Sequence, residues 1–240
     1  MEQRAALITG GSSGIGLAIA RVLAEEGYGL TLTSRRAPKL AAAAAGLRAE
    51  GAVVFDLAGD VSEEATVRAV VAAHGEQYGR LDVLVNNAGQ GIMGPIDDVS
   101  TKHLDLQLAV NLRSVILFYR EAMPLLRVAG AGDGALVVNT ASIAGKYGTA
   151  GLGVYSAAKH GIVGFTEAMN GELLEVGIKS TVLCPAYVDT AMTDALKDRI
   201  PASEMITVQD LAETVRSLLR LSPHCAIPEV VFRRRARDVS

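Results

Sequence analysis

The sequence predicts an α/β fold in which a parallel sheet of about seven strands carries helices on both faces. Three observations predict it. Short β-branched apolar runs alternate with longer segments of helical spacing, nearly all of the runs are too apolar to have a solvated face, and no Pro- or Ser-rich linker interrupts them. Strands buried on both faces are typical of parallel sheets covered by helices. We therefore expect a single domain over residues 1–240, without internal repeats.

Each predicted strand is a short apolar run that ends near a turn or a polar residue. The seven runs are Ala5–Thr9, Leu30–Ser34, Val53–Leu57, Val83–Asn86, Ala135–Thr140, Ser180–Cys184 and Glu229–Arg233. The segments between them are typical of helices with one apolar face. They are Gly14–Glu26, Pro38–Glu50, Ser62–Tyr78, Thr101–Val128, Val154–Val176 and Val208–Leu221. Thr207 and Asp210 predict a weaker variant of the capping box at the start of the last helix.

Composition excludes several classes of protein. Of 240 residues, 50% are apolar and 20% are charged, which is typical of a globular chain. The formal net charge of −3 argues against general nucleic-acid binding. No apolar run approaches the roughly 18 residues of a membrane helix and no leader precedes Ala5, so we expect a cytoplasmic protein. Two cysteines, and four histidines without ligand spacing, predict neither a disulfide framework nor a metal site.

The C-terminal segment is locally basic, because four arginines lie between Arg233 and Arg237. The simpler interpretation of this segment is a solvated chain end. The alternative is a surface that docks an acidic partner, whose binding would weaken with added salt.

A glycine-rich turn follows the first predicted strand, with the sequence Thr9-Gly10-Gly11-Ser12-Ser13-Gly14-Ile15-Gly16. Glycines at a strand-to-helix turn let backbone N–H groups approach a pyrophosphate, whose charge is favoured at a helix N-terminus. The alternative is that the turn needs glycine only for steric reasons and binds no ligand. The position on the first βα unit, with the end of the second strand about 20 residues later, favours a dinucleotide site.

The second strand ends at Ser34, which Arg35 and Arg36 follow. An NAD site normally has an acidic residue here for the ribose hydroxyls, whereas two guanidinium groups could clamp a 2′-phosphate. We therefore expect NADPH as the cofactor; a polar exit from the strand is the alternative. Asp60 and Val61 could meet the adenine, although a helix-start Asp explains Asp60 equally well.

Tyr155 and Lys159 lie four residues apart in a predicted helix, so both side chains are on one face. A phenol titrates near pH 10, and a nearby ammonium stabilises the phenolate, so we expect the pair to lower the pKa of Tyr155. Ser142 follows a predicted strand, at the edge where open α/β sheets bind ligands. These three residues together predict a catalytic group.

With these residues in view, the chain resembles the short-chain dehydrogenase/reductase family, whose single-domain members have a Rossmann fold and use NAD(P). The motifs occur in the family's order: Thr9 to Gly16, Asp60-Val61, Asn86-Asn87-Ala88-Gly89, Asn111, Ser142, Tyr155-Ser-Ala-Ala-Lys159 and Pro185-Ala-Tyr-Val-Asp-Thr190. The resemblance implies that Asn86 to Gly89 stabilise the sheet beside the cofactor and that Asn111 holds a water connecting Lys159 to solvent. Pro185 would begin the loop on the nicotinamide side, in which Val188 and Thr190 contact the carboxamide.

The same resemblance implies a reversible carbonyl reduction by hydride transfer from NADPH. Tyr155 would protonate the nascent alkoxide, Ser142 would hydrogen-bond the carbonyl oxygen, and Lys159 would hold the ribose and lower the tyrosine pKa. Two features depart from the family. Ala186 stands where glycine is usual, and the C-terminus lacks the glycine-rich ending of tetrameric relatives. We expect at least a dimer, as a homodimer or homotetramer, through the helices Thr101–Val128 and Val154–Val176.

Family position also implies the substrate pocket, and its residues are mostly apolar. They are Gln90, Ile92, Met93, Ile143, Ala144, Tyr147, Tyr187 and the segment from Met192 to Met205. A ketone, aldehyde or β-keto compound fits them better than a polyanion, although each side chain could equally be loop packing. An acyl carrier protein reductase is a sub-case that the basic tail favours. A non-catalytic NADPH sensor and a methyltransferase are the other classes, and neither needs Ser142, Tyr155 and Lys159.

Overall fold

The computed structural model describes residues 3–235, and its seven strands form one parallel sheet. The strands are β1 (Ala5–Thr9), β2 (Gly29–Ser34), β3 (Val54–Ala58), β4 (Val83–Asn86), β5 (Ala135–Thr140), β6 (Ile178–Pro185) and β7 (Glu229–Phe232). Their order across the sheet is β3-β2-β1-β4-β5-β6-β7, and every neighbouring pair is parallel. The predicted α/β class and parallel sheet are confirmed.

The helices agree with the predicted segments except at one place. They are α1 (Gly14–Glu25), α2 (Ala37–Ala49), α3 (Glu64–Tyr78), α4 (Thr101–Leu108), α5 (Ser114–Gly130), α6 (Gly153–Leu173) and α7 (Val208–Leu219). The single helix predicted over Thr101–Val128 is wrong, because a π-helical turn at Ala109–Arg113 separates α4 from α5. The capping box of Thr207 and Asp210 is confirmed. Within residues 3–235, no helix has the length and apolar content needed to cross a membrane.

The sheet has a hydrophobic core on each face. Successive side chains of a strand point to opposite faces, so Ala6 and Ile8 pack with buried residues of α1, α2 and α7. Leu7, between them, packs with buried residues of α3, α5 and α6. The outer strands β3 and β7 are only partly buried, whereas β1, β2, β4 and β5 are buried throughout. Apolar burial on both faces thus explains why the inner strands read as continuous apolar runs.

The strand order reverses between β1 and β4, and this reversal positions the site. From β1 the chain continues outward to β2 and β3, and from β4 it continues outward in the opposite direction to β7. The connecting segments therefore diverge at the carboxyl ends of β1 and β4, where they leave a crevice.

Buried polar side chains join the central strands beside this crevice. Asn139 Nδ2 donates to Tyr119 OH and to Thr166 Oγ1, each at 2.9 Å. Asn139 Oδ1 accepts from Asn86 Nδ2 at 2.9 Å, and Tyr119 OH donates to Ser180 Oγ at 3.0 Å. Burial raises the pKa of Tyr119 to about 12, so its hydroxyl remains a donor. The network therefore ties β4, β5 and β6 to the helices α5 and α6.

His74 is a buried titratable group far from the predicted catalytic residues in sequence. Its Nε2 lies 2.9 Å from the carbonyl oxygen of Arg80, and its Nδ1 lies 2.8 Å from Thr31 Oγ1. Since a carbonyl only accepts, Nε2 carries the proton and Nδ1 accepts from the Thr31 hydroxyl. Burial lowers the pKa of His74 to about 4, so the folded protein holds the neutral imidazole.

We predict that acid destabilises the protein through His74. Below about pH 6.5 the imidazole of His74 is protonated in the unfolded chain, whereas in the folded protein it stays neutral until the pH falls to about 4. A pKa lowered by between two and three units costs about 3 kcal/mol of unfolding free energy once the pH falls below both values. Urea unfolding at pH 7.5 and at pH 4.5 measures the loss, and the His74→Gln variant should lose less. Equal losses in both proteins would contradict this role.

Candidate active site

The crevice at the carboxyl edge has a volume of 530 Å³ and contains most of the predicted site residues. Those that line it are Gly10, Ser12, Ser13, Gly14, Ile15, Arg35, Arg36, Asn87, Ala88, Gly89, Gln90, Ser142, Tyr155, Lys159, Pro185, Val188 and Thr190. The predicted residues that do not line it are Gly16, Ser34, Asp60, Val61, Ile92, Met93, Asn111, Ile143, Ala144, Tyr147 and Tyr187. The structure thus brings the glycine-rich turn and the Ser/Tyr/Lys group into one crevice.

The glycine-rich turn presents backbone donors to this crevice. Gly10 has a φ of +66°, which favours glycine, and a Cβ on Gly16 would lie 2.5 Å from the Gly10 carbonyl oxygen. Ser13 is the N-cap of α1, but its side chain caps no N–H group and the first turn has no acidic residue. The positive end of α1 therefore lacks an anionic partner within the described chain, and a pyrophosphate fits there.

The loop after β4 is held to the end of β1 by Thr9. Its Oγ1 accepts hydrogen bonds from the N–H groups of Asn87, at 2.9 Å, and Ala88, at 3.0 Å. Asn87 Nδ2 donates in return to the Thr9 carbonyl oxygen at 3.2 Å. The reciprocal bonds fix the width of the crevice where the glycine-rich turn faces Asn87 to Gly89.

The end of β2 has a buried polar atom without a partner. Ser34 Oγ is sealed from solvent, and within residues 3–235 it has no hydrogen-bond partner. Arg35 and Arg36, which follow, line the crevice, and the Arg35 guanidinium lies 4.0 Å from Asp60 Oδ2. An anionic ligand at this end of the crevice would meet two cations, and a contact with the Ser34 hydroxyl stays a prediction. These residues fit the phosphorylated ribose of a dinucleotide.

Asp60 and Val61 have structural contacts of their own. Asp60 Oδ1 accepts from the backbone N–H of Ser62 at 3.0 Å and from its hydroxyl at 2.8 Å, in a turn just before α3. The Val61 side chain is buried in the core beside α3 and α5. Asp60 thus caps the turn before α3 and not the helix itself, whose N-cap is Glu63, and the adenine contact stays a prediction.

Tyr155 and Lys159 lie in the first and second turns of α6, as the spacing predicts. Lys159 is 3% exposed, and its Nζ donates to the Thr140 carbonyl oxygen at 2.8 Å. Nζ also lies 5.5 Å from the centroid of the Tyr155 ring. Burial lowers the pKa of Lys159 to about 8. The ammonium is therefore held close to the phenol but bound to β5.

The expectation of a lowered tyrosine pKa is wrong for this structure. Burial raises the pKa of Tyr155, and the Ser142 hydroxyl opposes that change by hydrogen bonding. Because desolvation disfavours the phenolate more than its neighbours favour it, Tyr155 is a neutral phenol at neutral pH. The phenol is therefore in its protonated form, which can donate a hydrogen bond or a proton to a bound oxygen.

Ser142 lies where β5 ends and a short 3₁₀ turn, Ile143–Gly145, begins. Its Oγ accepts from the Ala144 N–H at 3.2 Å and lies 3.5 Å from the Pro185 carbonyl oxygen. These contacts hold the hydroxyl between the ends of β5 and β6, on the wall of the crevice that also carries Tyr155.

Asn111 lies in the π-helical turn and is completely buried. Its Nδ2 donates to the carbonyl oxygens of Gln90, at 2.7 Å, and Gln107, at 2.8 Å, while its Oδ1 accepts from the Gln90 N–H at 3.0 Å. A Cβ on Gly89 would lie 3.1 Å from Asn111 Oδ1 and 3.6 Å from Lys159 Nζ. The side chain therefore positions the crevice wall, and its water-holding role stays a prediction.

The candidate substrate residues divide into two groups. Gln90, Met192 and Thr193 line the crevice, whereas Ile92, Met93, Ile143, Ala144, Tyr147, Tyr187 and the rest of the segment to Met205 do not. Met93 is 66% exposed, which is typical of a loop side chain at the surface. The sequence analysis missed four residues of the lining: Gly91, Thr140, Ala141 and Ala191. Thr140 and Ala141 follow from the position of Ser142 at a strand end, but Gly91 and Ala191 had no signal of their own.

The basic tail is not a simple solvated end. Arg233 Nη2 donates to Tyr147 OH at 2.7 Å, and the buried Arg234 places its guanidinium 5.4 Å from the Tyr187 ring centroid. The solvated interpretation is therefore wrong for the buried Arg234, which lies over the Tyr187 ring, whereas Arg233 remains exposed. Arg237 lies outside the described residues.

The loop after β6 accommodates the alanine that departs from the family pattern. Within residues 3–235, no residue other than glycine has a positive φ, and the Ala186 N–H donates to the Phe232 carbonyl oxygen at 3.0 Å. Ala186 carries its Cβ without backbone strain, because its backbone continues the pairing of β6 with β7.

Comparison with known proteins decides the family. The family model for short chain dehydrogenases matches residues 4–201. The chain belongs to the short-chain dehydrogenase family. It is therefore an oxidoreductase with the Rossmann-like fold of a family that uses NAD(P).

Three relatives of this short-chain dehydrogenase illustrate the similarity. Levodione reductase of Leifsonia aquatica is 38% identical over 194 residues, which are 80% of this chain and 72% of the relative. A Streptomyces virginiae protein named for the monensin polyketide synthase is 36% identical over 229 residues, which are 95% of this chain and 87% of the relative. The crystal structure of a single-site variant of actinorhodin polyketide ketoreductase with NADPH superposes with a TM-score of 0.89 at 30% identity, covering 96% of this chain and 97% of that one.

We predict that Thr9→Val weakens both the fold and the dinucleotide site. The substitution keeps the volume but leaves the N–H groups of Asn87 and Ala88 without their acceptor, which costs about 2 kcal/mol or more. Urea unfolding measures the loss, and fluorescence titration with NADPH measures the binding. Thr214→Val on α7, which removes only a hydroxyl bonded within its own helix, is the matched control. Equal stability of the two variants would contradict the anchoring role.

Proposed function

We propose that the protein reduces the carbonyl group of an uncharged organic substrate to an alcohol with NADPH. The observation that carries this proposal is the single crevice in which Ser142, Tyr155 and Lys159 face the uncapped start of α1 and the Arg35–Arg36 pair. When bound, the dinucleotide supplies a hydride to the carbonyl carbon. The chain supplies the binding contacts, the orientation of the carbonyl and the proton.

Binding of NADPH is assigned to two parts of the crevice. The backbone N–H groups at the start of α1 would take the pyrophosphate. The guanidinium groups of Arg35 and Arg36 would take the 2′-phosphate. The NADPH in the ketoreductase structure described above supports this choice for a protein of the same fold.

Proton transfer is assigned to Tyr155. Its raised pKa keeps the phenol neutral at physiological pH, which is the form that donates to a developing alkoxide. Ser142 Oγ, which is not committed to a short hydrogen bond, would orient the carbonyl oxygen toward the phenol. Lys159, with a pKa of about 8, carries a positive charge at neutral pH and stabilises negative charge on the adjacent oxygens.

A carrier-linked 3-oxoacyl thioester is the second candidate substrate. The observation that favours it is the pair Arg233 and Arg234, which the tyrosines Tyr147 and Tyr187 hold on the carboxyl side of the sheet. Acyl carrier proteins are acidic, so guanidinium groups near the crevice suit their docking. The ketoreductase among the relatives supports the same alternative.

We predict that Tyr155→Phe lowers kcat by about 10²–10⁴-fold while NADPH binds almost as tightly, because only the proton donor is removed. NADPH oxidation is followed against an aliphatic aldehyde, an aromatic ketone, a diketone, an acetoacetyl thioester and a keto-sugar. Tyr28→Phe, at the opposite edge of the sheet, is the matched control. Strong residual turnover in Tyr155→Phe would remove the assigned role, and tight NADPH binding without turnover of any substrate by the natural protein would favour a sensor.

We predict that replacing Arg35 and Arg36 by serine removes the preference for NADPH. Charged hydrogen bonds to a phosphate contribute about 1.5–3 kcal/mol each, so loss of both groups should lower kcat/KM for NADPH about 10²- to 10⁴-fold. The value for NADH should change little, since NADH lacks the 2′-phosphate. Arg127→Ser, on the exposed end of α5, is the control for loss of positive charge. Equal use of both cofactors by the natural protein would contradict the assignment.

A further inference from the structure

A second cavity, of 260 Å³, lies beside the active-site crevice. Apolar side chains of Ile92, Ile96, Val99 and Val154 form much of its wall, and glycine backbone forms part of the rest. No charged side chain is among its lining residues in the described chain. The volume corresponds to about nine waters at about 30 Å³ each. A chain or ring of several carbons would therefore fit, and a charged group would find no counterion.

Two polar side chains line this cavity, Gln107 at the end of α4 and Thr149; Thr149 is exposed, whereas Gln107 is only 1% exposed. Its Oε1 accepts from the Ile92 N–H at 3.0 Å, and this bond fixes which end of the amide is the oxygen. The two N–H donors on Nε2 have no acceptor within residues 3–235. These donors are thus free to pair with a ligand oxygen in the cavity.

The segment from Gln90 to Gly94 borders both cavities. Gln90 and Gly91 line the crevice, whereas Ile92 and Gly94 line the second cavity. A Cβ on Gly91 would lie 3.8 Å from the Tyr155 ring, and Gly94 N–H donates to the Gly151 carbonyl oxygen at 2.9 Å. The second cavity thus begins within a few residues of the proton donor.

We propose that this cavity is a second subsite, which binds the distal end of the substrate while its reacting carbonyl lies at Tyr155 and Ser142. The distal end would be uncharged and apolar and would carry one acceptor oxygen, such as a second carbonyl, that accepts from Gln107 Nε2. The proposal rests on the proposed reductase function and deepens it, since it names the substrate class as an oxygenated ketone. Gln107 is here a specificity residue and takes no part in the chemistry.

The test compares diketones of the series CH₃CO(CH₂)nCOCH₃ with 2-alkanones of equal chain length, in NADPH oxidation. Each diketone has two equivalent carbonyls, so a preference of about twofold is statistical. At the chain length that spans the two cavities, the natural protein should prefer the diketone by a further 5- to 10-fold in kcat/KM, which corresponds to roughly one hydrogen bond. A ratio of substrates is used because it cancels general losses of activity.

Two variants and a control test whether the second cavity binds the distal end of the substrate. Gln107→Leu removes the amide donor and should return the diketone preference to about twofold. Val99→Phe fills the cavity without touching the amide, and it should lower kcat/KM for long ketones relative to butan-2-one by about 10-fold. Gln209→Leu makes the same change on the exposed surface of α7 and should keep the preference of the natural protein.

A direct measurement keeps the proposal testable if a variant folds poorly. In ¹⁵N-labelled natural protein with NADP⁺, the side-chain amide signal of Gln107 should shift when the preferred diketone is added, and should not shift with the matching 2-alkanone. Turnover of ketones with no diketone preference, or with a preference that both cavity variants retain, would overturn the subsite and leave the reductase function intact. Absence of any NADPH-dependent turnover would instead overturn the proposed function.

Discussion

The Thr9 hydroxyl accepts two hydrogen bonds from successive N–H groups of the loop after β4, and the crevice depends on this contact. The sheet changes direction between β1 and β4, so no helix crosses above that point and only short loops close it. Loop backbone in such a place needs fixed partners, because it is neither strand nor helix. Thr9 supplies them and thereby sets the distance between the glycine-rich turn and the Ser/Tyr/Lys wall.

Burial beside the crevice disfavours the charged forms of the side chains that the proposed reaction uses. Lys159 loses solvation, and its pKa falls to about 8; Tyr155 loses solvation, and its pKa rises. Both changes favour the neutral forms, so the protein must compensate for burial with hydrogen bonds. The Thr140 carbonyl does this for Lys159, and the network centred on Asn139 does it for the neighbouring strand ends. The carbonyl oxygen of Thr140 in β5 thus helps to keep Lys159 charged.

Much of this structure could be predicted from the sequence, because its signals are local. Apolar runs and helical spacing predicted the seven strands and most helix limits within a few residues, and the Tyr155–Lys159 spacing predicted one helix face. The π-helical turn, the orientation of Gln107 and the contacts of Arg233 and Arg234 could not be predicted, since each depends on packing between segments distant in sequence. The predicted lowering of the Tyr155 pKa was wrong for the same reason. The spacing shows that a positive charge is close, but not that packing removes water from around the phenol.

The π-helical turn at Ala109–Arg113 limits how the length of this part of the chain can change. A π turn contains one residue more than an α turn, so its removal would rotate α5 by about 100° relative to α4. Gln107 and Asn111 meet the segment before α4, whereas Phe118 and Ala122 on α5 pack in the core. Both sets of contacts cannot survive such a rotation. A one-residue deletion here is therefore far more damaging than a deletion of the same size in an exposed loop, although it removes no catalytic residue.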